Sequence, residues 1–253
     1  EGSGFTASTF GVPFAIRDLA ITGSPGSGLD IAGSALAVQR LHVSNNAVGI
    51  RVRHTPSRIE DSLVIENDTH GVLIEDNAYV EIERTEIARN AGDGVHLLLI
   101  FGNFVKIGHS LVAENGGNGI GGTEGGGLVE DSVIRDNGRA GFYSGSDAHF
   151  YFTRSVISGN RSGGLDSQGN FGVLVVEGCL IAGNSSRDTG GIAAGFDDGR
   201  LEIRNSTITG NVGDVVGGVK TARARIESST IAGNTGGITG GLELRPYYYT
   251  FGG

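Results

Sequence analysis

Three residues able to move protons stand at the same place in a repeated phrase. In "GVHL", "GFYS" and "GLDS" a glycine and an apolar residue are followed by His96, Tyr143 and Asp166. All three types serve in general acid and base catalysis, and on a short strand the third residue of the phrase faces solvent. In other copies this position holds Arg51 and Lys220, with Arg53 close by, so these are candidates to bind an anionic substrate. His96 and Tyr143 would lie two repeats apart, about 10 Å at the backbone. A mixed solvated face explains the same residues without chemistry.

A second group follows in the next loop. Six residues after the glycine come Asp147, Asn170 and Asp197 in three successive repeats, and oxygen ligands in that arrangement are candidates to bridge Ca²⁺. Asp, Asn and Gly also make ordinary turns, which is the competing explanation for "SGSDAH", "SQGN" and "GFDDG". Calcium is therefore the one cofactor the sequence suggests.

Sharper motifs are missing. There is no H-E-x-x-H, C-x-x-C, phosphate-binding loop or G-x-S-x-G elbow, and "GGNGIGGTEGGG" lacks the aspartate of the Ca²⁺-binding nonapeptide repeat. The net charge of −9 argues against nucleic acid, which needs a basic surface. The longest apolar run, from Val95, is too short to span a bilayer. One cysteine, Cys179, precludes an internal disulfide. Neither an initiator Met nor a signal peptide is present, which predicts a mature chain or an excised segment.

The elements that must position these residues come from an internal repeat. "NSTITGN" returns 23 residues later as "SSTIAGN", and the closing Asn recurs as Asn46, Asn67, Asn90, Asn115, Asn137, Asn160, Asn184, Asn211 and Asn234, with Ser24 in first place. Three positions before every anchor stands Val or Ile, from Ile21 to Ile231, and eight positions before stands an apolar residue, from Ile16 to Ile226. A Gly-apolar pair follows each anchor, from Leu29 to Leu242. Within a repeat the period is two, as in "RLEIRNSTI", which marks strands. About 23 residues holding three short strands, stacked on identical neighbours, describe a coil of a parallel β-helix.

On this reading the asparagines are architecture: they take the left-handed conformation of a sharp bend and hydrogen-bond to the coils above and below. The Ser/Thr column five positions earlier predicts small inward residues. Cys179 fills that column and is expected to be buried and unreactive. The sequons at Asn67, Asn160, Asn184 and Asn205 are by-products of the repeat. In the last three repeats the corner lengthens ("SSRDTGG", "VGDVVGG", "TGGITGG"), predicting a ridge along one edge.

"GGIAAGF…LEIRNSTITGN…GGVKTA" resembles the right-handed parallel β-helix repeat of the pectate-lyase-like superfamily, and the wording of the last three coils is similar to bacterial surface and secreted β-helix proteins. The resemblance covers essentially the whole chain. It implies an all-β fold: a single right-handed parallel β-helix of about ten coils with an Asn ladder over residues 1–253. It also implies a bacterial, extracellular or cell-surface location. In enzymes of that superfamily a polyuronide lies along the outward strands, and a base abstracts the C5 proton while a positive side chain or cation neutralises the carboxylate.

The regular repeat and short loops favour a non-catalytic rod with a structural, adhesive or carbohydrate-binding role. The competing reading is a polysaccharide lyase or C5-epimerase acting on an acidic glycan. Partners would be a polysaccharide or surface glycan, together with further domains or proteins at the open ends of the rod, where "PYYYTF" suggests a packed contact.

Overall fold

The computed structural model describes residues 4–8, 14–33, 35–98, 102–122, 124–169, 171–195 and 199–245. All regular structure among them is β, and no helix is long and apolar enough to cross a membrane. The strands stack in parallel into one 11-stranded sheet, one 18-stranded sheet holding two strands of each coil, and a short 3-stranded sheet.

The three apolar columns of the sequence are the three inner rows of the solenoid. Leu29, Ile50, Val72, Val95, Ile120, Phe142, Leu165, Ile192, Val219 and Leu242 pair in unbroken register up the 11-stranded sheet. Val43, Val64, Ile87, Val112, Ile134 and Ile157 do the same on a second face, and Val38, Ile59, Ile82, Ile107, Val129 and Phe152 on the third. Nearly all of them are fully buried. Apolar residues alternate with exposed ones because successive side chains of a strand point to opposite faces. Near the candidate site the inner row enlarges: Phe142 packs on Phe150 and Phe152 with ring centroids 4.5 and 5.4 Å away. Gly127 makes room for this layer, since a Cβ there would meet Phe150 at 2.3 Å.

The anchor asparagines form a continuous ladder. In each coil Oδ1 accepts the backbone N–H and the Nδ2–H of the preceding Asn; for Asn137 these come from Asn115 at 3.1 and 3.0 Å. Nδ2 of Asn137 also donates to the carbonyl of Val112 at 3.3 Å and to Asn160 Oδ1 at 2.9 Å. The expected left-handed backbone does not fall on the ladder residue. It falls one residue earlier, on Asn45, Glu66, Arg89, Glu114 and Asp136, and on glycine in the later coils. The reason is a division of labour: the residue with positive φ reverses the chain outward, and its successor is then aimed inward where an amide can be satisfied.

A second left-handed corner precedes the Ser/Thr ladder at Arg40, Asp61, Arg84, His109, Asp131 and Arg154. Being outward, these residues pair between coils. Arg84 reaches Asp61 at 2.7 Å, and Arg154 holds both oxygens of Asp131.

Cys179 takes its place in the inner ladder, donating its backbone N–H to Ser206 Oγ at 3.1 Å and receiving that of Ser155 at 3.5 Å. Burial pushes its thiol up to about 11. Native protein is expected to resist a thiol-specific disulfide reagent until unfolded, and Cys179→Ser to change stability by less than about 1 kcal/mol. Stoichiometric labelling of the native chain would overturn this.

The lengthened corners stack as expected: Ser185–Ser186, Val212–Gly213 and Thr235–Gly236 make the 3-stranded sheet. The aromatic tail, Tyr247 to Phe251, lies outside the described residues.

Candidate functional site

The outward column on the 11-stranded sheet is in the register expected. His96 on Val95–Leu97 pairs with Gly121, Gly121 with Tyr143 on Phe142–Ser144, and Tyr143 with Asp166 on Leu165–Ser167. Gly121 carries no side chain, and the Asp93 carboxylate takes the space beside it, so nothing on the strand between them separates His96 from Tyr143. Both line a cleft of about 410 Å³ whose lining also includes His70, Asp93, Asn118 and Arg139.

His70, Asp93 and Asn118 enter from the corner, one from each of three successive coils, each immediately before the glycine of its Gly-apolar pair. Together they form a short polar ladder. The backbone N–H of Asp93 donates to His70 Nδ1 at 3.1 Å, that of Asn118 to Asp93 Oδ1 at 2.6 Å, and that of Ala140 to Asn118 Oδ1 at 3.1 Å. Asn118 Nδ2 adds a second bond to Asp93 Oδ1 at 3.1 Å. The other carboxylate oxygen, Oδ2, lies 2.7 Å from His96 Nδ1. Two glycines make this possible, because a Cβ on Gly117 or on Gly121 would meet a carboxylate oxygen of Asp93 at 2.2 Å.

The electrostatics follow from this bonding. Burial works to raise the Asp93 carboxyl, but the bonds from His96 and Asn118 outweigh it and hold the group below the usual range. Asp93 is therefore ionised at neutral pH and can only accept, so His96 donates from Nδ1, and in the neutral ring Nε2 is the basic nitrogen. The His70 ring stacks on that of His96 with centroids 4.4 Å apart and an interplanar angle of 17°. Burial, and then the neighbouring His96, push His70 down, so it stays neutral.

His70, Asp93 and His96 also bring one ligand atom each within 4.8 Å of one another, as a metal site would. Their arrangement does not suit one. An imidazole lone pair lies in the ring plane, so two nearly parallel stacked rings aim theirs into separate planes. Nδ1 of His70 is moreover already accepting a backbone N–H.

The other expected residues are placed as follows. Arg51 is paired with Glu75, Arg53 with Asp30 at 2.8 Å, and Lys220 with Asp188 at 2.8 Å, so all three outward cations are neutralised within the rod. Arg139, which the sequence did not single out, lines the cleft with no carboxylate partner among the described residues. For the expected calcium group, Asp147 accepts the backbone N–H of Phe171 at 2.9 Å, a bond between coils, while Asn170 and Asp197 lie outside the described residues. A larger groove of about 720 Å³ runs along the corner of Asp18, Arg40, Asp61 and Arg84, where the arginines are already paired with the aspartates.

Asp166 is half-buried, bonded by Gln168, and pushed up to about 6 by burial. The folded state thus holds this proton more tightly than the unfolded chain does. The resulting stability is present below pH about 4 and is lost as pH rises to about 6. Asp166→Asn should abolish that slope and add on the order of 1 kcal/mol at pH 7, the shift being discounted for partial exposure. Thermal melts of both proteins between pH 4 and 7 check this; a difference independent of pH would contradict it.

The fold and register define a right-handed β-helix. The chain belongs to that family: the family model described as "Right handed beta helix region" matches residues 4–128 and 118–242. No curated protein sequence matches significantly. Among solved structures, the chain is similar to the A-module of mannuronan C-5 epimerase AlgE4 from Azotobacter vinelandii, with TM-score 0.57 and 13% identity over 97% of this chain and 80% of that one. It also matches pectate lyase Pel9A, with TM-score 0.45 and 15% identity over 92% of this chain and 68% of that one. At these identities the likeness is one of fold.

Proposed function

We propose that the protein is an acid–base enzyme acting on an acidic polysaccharide, a lyase or C5-epimerase of uronate residues. One observation carries this reading: an Asp93-bound His96 and Tyr143 line one cleft on the same sheet face, two strands apart with only Gly121 between them. A uronate residue seated there presents its C5 proton to His96 Nε2. The proton moves to Nε2, giving an imidazolium that Asp93 stabilises, and the C5 electron pair passes into the carboxylate. If the Tyr143 O–H then protonates the leaving O4, the pair forms the C4–C5 double bond and the chain is cut. If it protonates C5 from the other face, the sugar is inverted and the chain stays whole. Arg139 supplies positive charge for the substrate carboxylate. The protein's net charge of −9 does not oppose this, because in the cleft the Asp93 carboxylate is bonded by His96 and Asn118 while the Arg139 guanidinium is left to meet the substrate.

The similarity in fold to a mannuronan epimerase module agrees with this substrate class. Since acidic polysaccharides are surface and extracellular polymers, we place the protein outside the cell or on a bacterial surface. The second reading, a glycan-contacting or adhesive rod, draws on the unbroken ladders and on the pairing of Arg51, Arg53 and Lys220.

Proton NMR on a panel of polyuronides separates the readings. New vinyl signals are expected for a lyase and altered anomeric signals for an epimerase. A panel that stays silent at high protein concentration, both with and without Ca²⁺, would sink the enzyme reading and leave the rod.

A further inference from the structure

His70 has no place in the proton transfers just described, yet it is tied into the cleft by a specific bond. The backbone N–H of Asp93 donates to its Nδ1 at 3.1 Å. A nitrogen that accepts cannot carry the ring proton, so the neutral ring carries it on Nε2. In His96 the assignment is reversed, because Nδ1 faces the carboxylate of Asp93 at 2.7 Å. One residue, Asp93, thus uses its backbone to set one imidazole and its side chain to set the other. The two stacked rings are held in opposite tautomers, and both line the cleft.

We propose that His70 is a substrate-reading residue whose Nε2–H donates to the carboxylate of an acidic sugar, acting with Arg139 while His96 presents the bare nitrogen beside it. This rests on the reading of the cleft as a uronate site and deepens it by naming what recognises the charge. A neutral donor suits the place better than a second cation. Stacked on His96, a charged His70 would oppose the imidazolium that forms there, whereas a fixed N–H dipole costs no such repulsion. A neutral sugar, with hydroxymethyl in place of carboxylate, would lose a charge-assisted hydrogen bond and the Arg139 pairing together.

The purely structural explanation is that His70 merely starts the polar ladder, as an acceptor for Asp93. Asn118 shows that an asparagine does this work one step further along, accepting from Ala140 at 3.1 Å. His70→Asn therefore keeps an acceptor for the ladder and removes the Nε2–H donor. On uronate oligomers it is expected to raise KM at least tenfold with a smaller change in kcat. Full activity in His70→Asn would overturn the proposal.

A readout independent of turnover comes from long-range ¹H–¹⁵N correlation spectra of the imidazoles in the full chain. Without ligand, His70 should show the Nε2–H tautomer and His96 the Nδ1–H tautomer; the reverse at His70 would overturn the inference. Addition of trigalacturonate or trimannuronate should shift the His70 Nε2–H signal, and cellotriose should leave it in place. Equal responses to charged and neutral trisaccharides, or no response to any, would also overturn it. A uronate-specific shift without turnover would uphold the carboxylate subsite while removing the enzymatic reading.

Discussion

His96→Gln is expected to lower uronate turnover by about 10³-fold, with little change in the melting temperature. Glutamine keeps an N–H near Asp93 but offers no basic nitrogen to the substrate, and loss of a general base typically costs 10²- to 10⁴-fold. Gly121→Ala is the companion variant. It leaves every proton-carrying group present, but its Cβ falls 2.2 Å from Asp93 Oδ2, so the carboxylate must leave His96. A comparable loss in both variants would mean that the base and its bond to Asp93 are each required. If Gly121→Ala were fully active, the geometric argument for a His96–Tyr143 site would fail, even with His96 essential.

Asn137→Ala is expected to cost stability on the order of 4 kcal/mol, measured by urea unfolding. Asn137 is fully buried in mid-ladder. Truncation removes four bonds: it strands the backbone N–H and one Nδ2–H of Asn115 and takes a donor from the carbonyl of Val112 and from Asn160 Oδ1, which keeps the backbone N–H of residue 137. Stranded buried groups cost about 1–3 kcal/mol each, with some repair by water. Asn137→Asp should be nearly as harmful, because it keeps the acceptor but sets a carboxylate oxygen against Asn160 Oδ1 and the Val112 carbonyl. A loss below about 1 kcal/mol would show that the coils hold without this ladder, through their apolar rows alone. The effect is expected to stay local, since each coil touches only its neighbours.

Much of the site was legible before folding, because solenoid register turns sequence columns into spatial ones. His96 and Tyr143 follow Gly-apolar pairs and are found two strands apart on one face. His70, Asp93 and Asn118 were equally visible as a column, each just before its glycine, but corner residues read as turn formers when strands alone are scanned for outward chemistry. The signal that would have found them is a run of hydrogen-bonding side chains at one corner position in three successive repeats. Arg51, Arg53 and Lys220 mark the opposite limit. Arg51 and Lys220 stand in the outward column and Arg53 two residues on, but whether a long cation reaches substrate or a neighbouring carboxylate depends on side-chain directions that the repeat does not specify.

What the sequence alone determined is the solenoid: three apolar rows, an Asn ladder and a buried Cys179. These follow from burial and period, and every coil repeats the same instruction. Packing in three dimensions settled which residues turn left-handed and which nitrogens carry protons. Positive φ fell on Asn45 rather than Asn46, because a corner distributes its bend over several residues. The protons of His70 and His96 were assigned only when Asp93 was seen to hold one ring by its N–H and the other by its carboxylate.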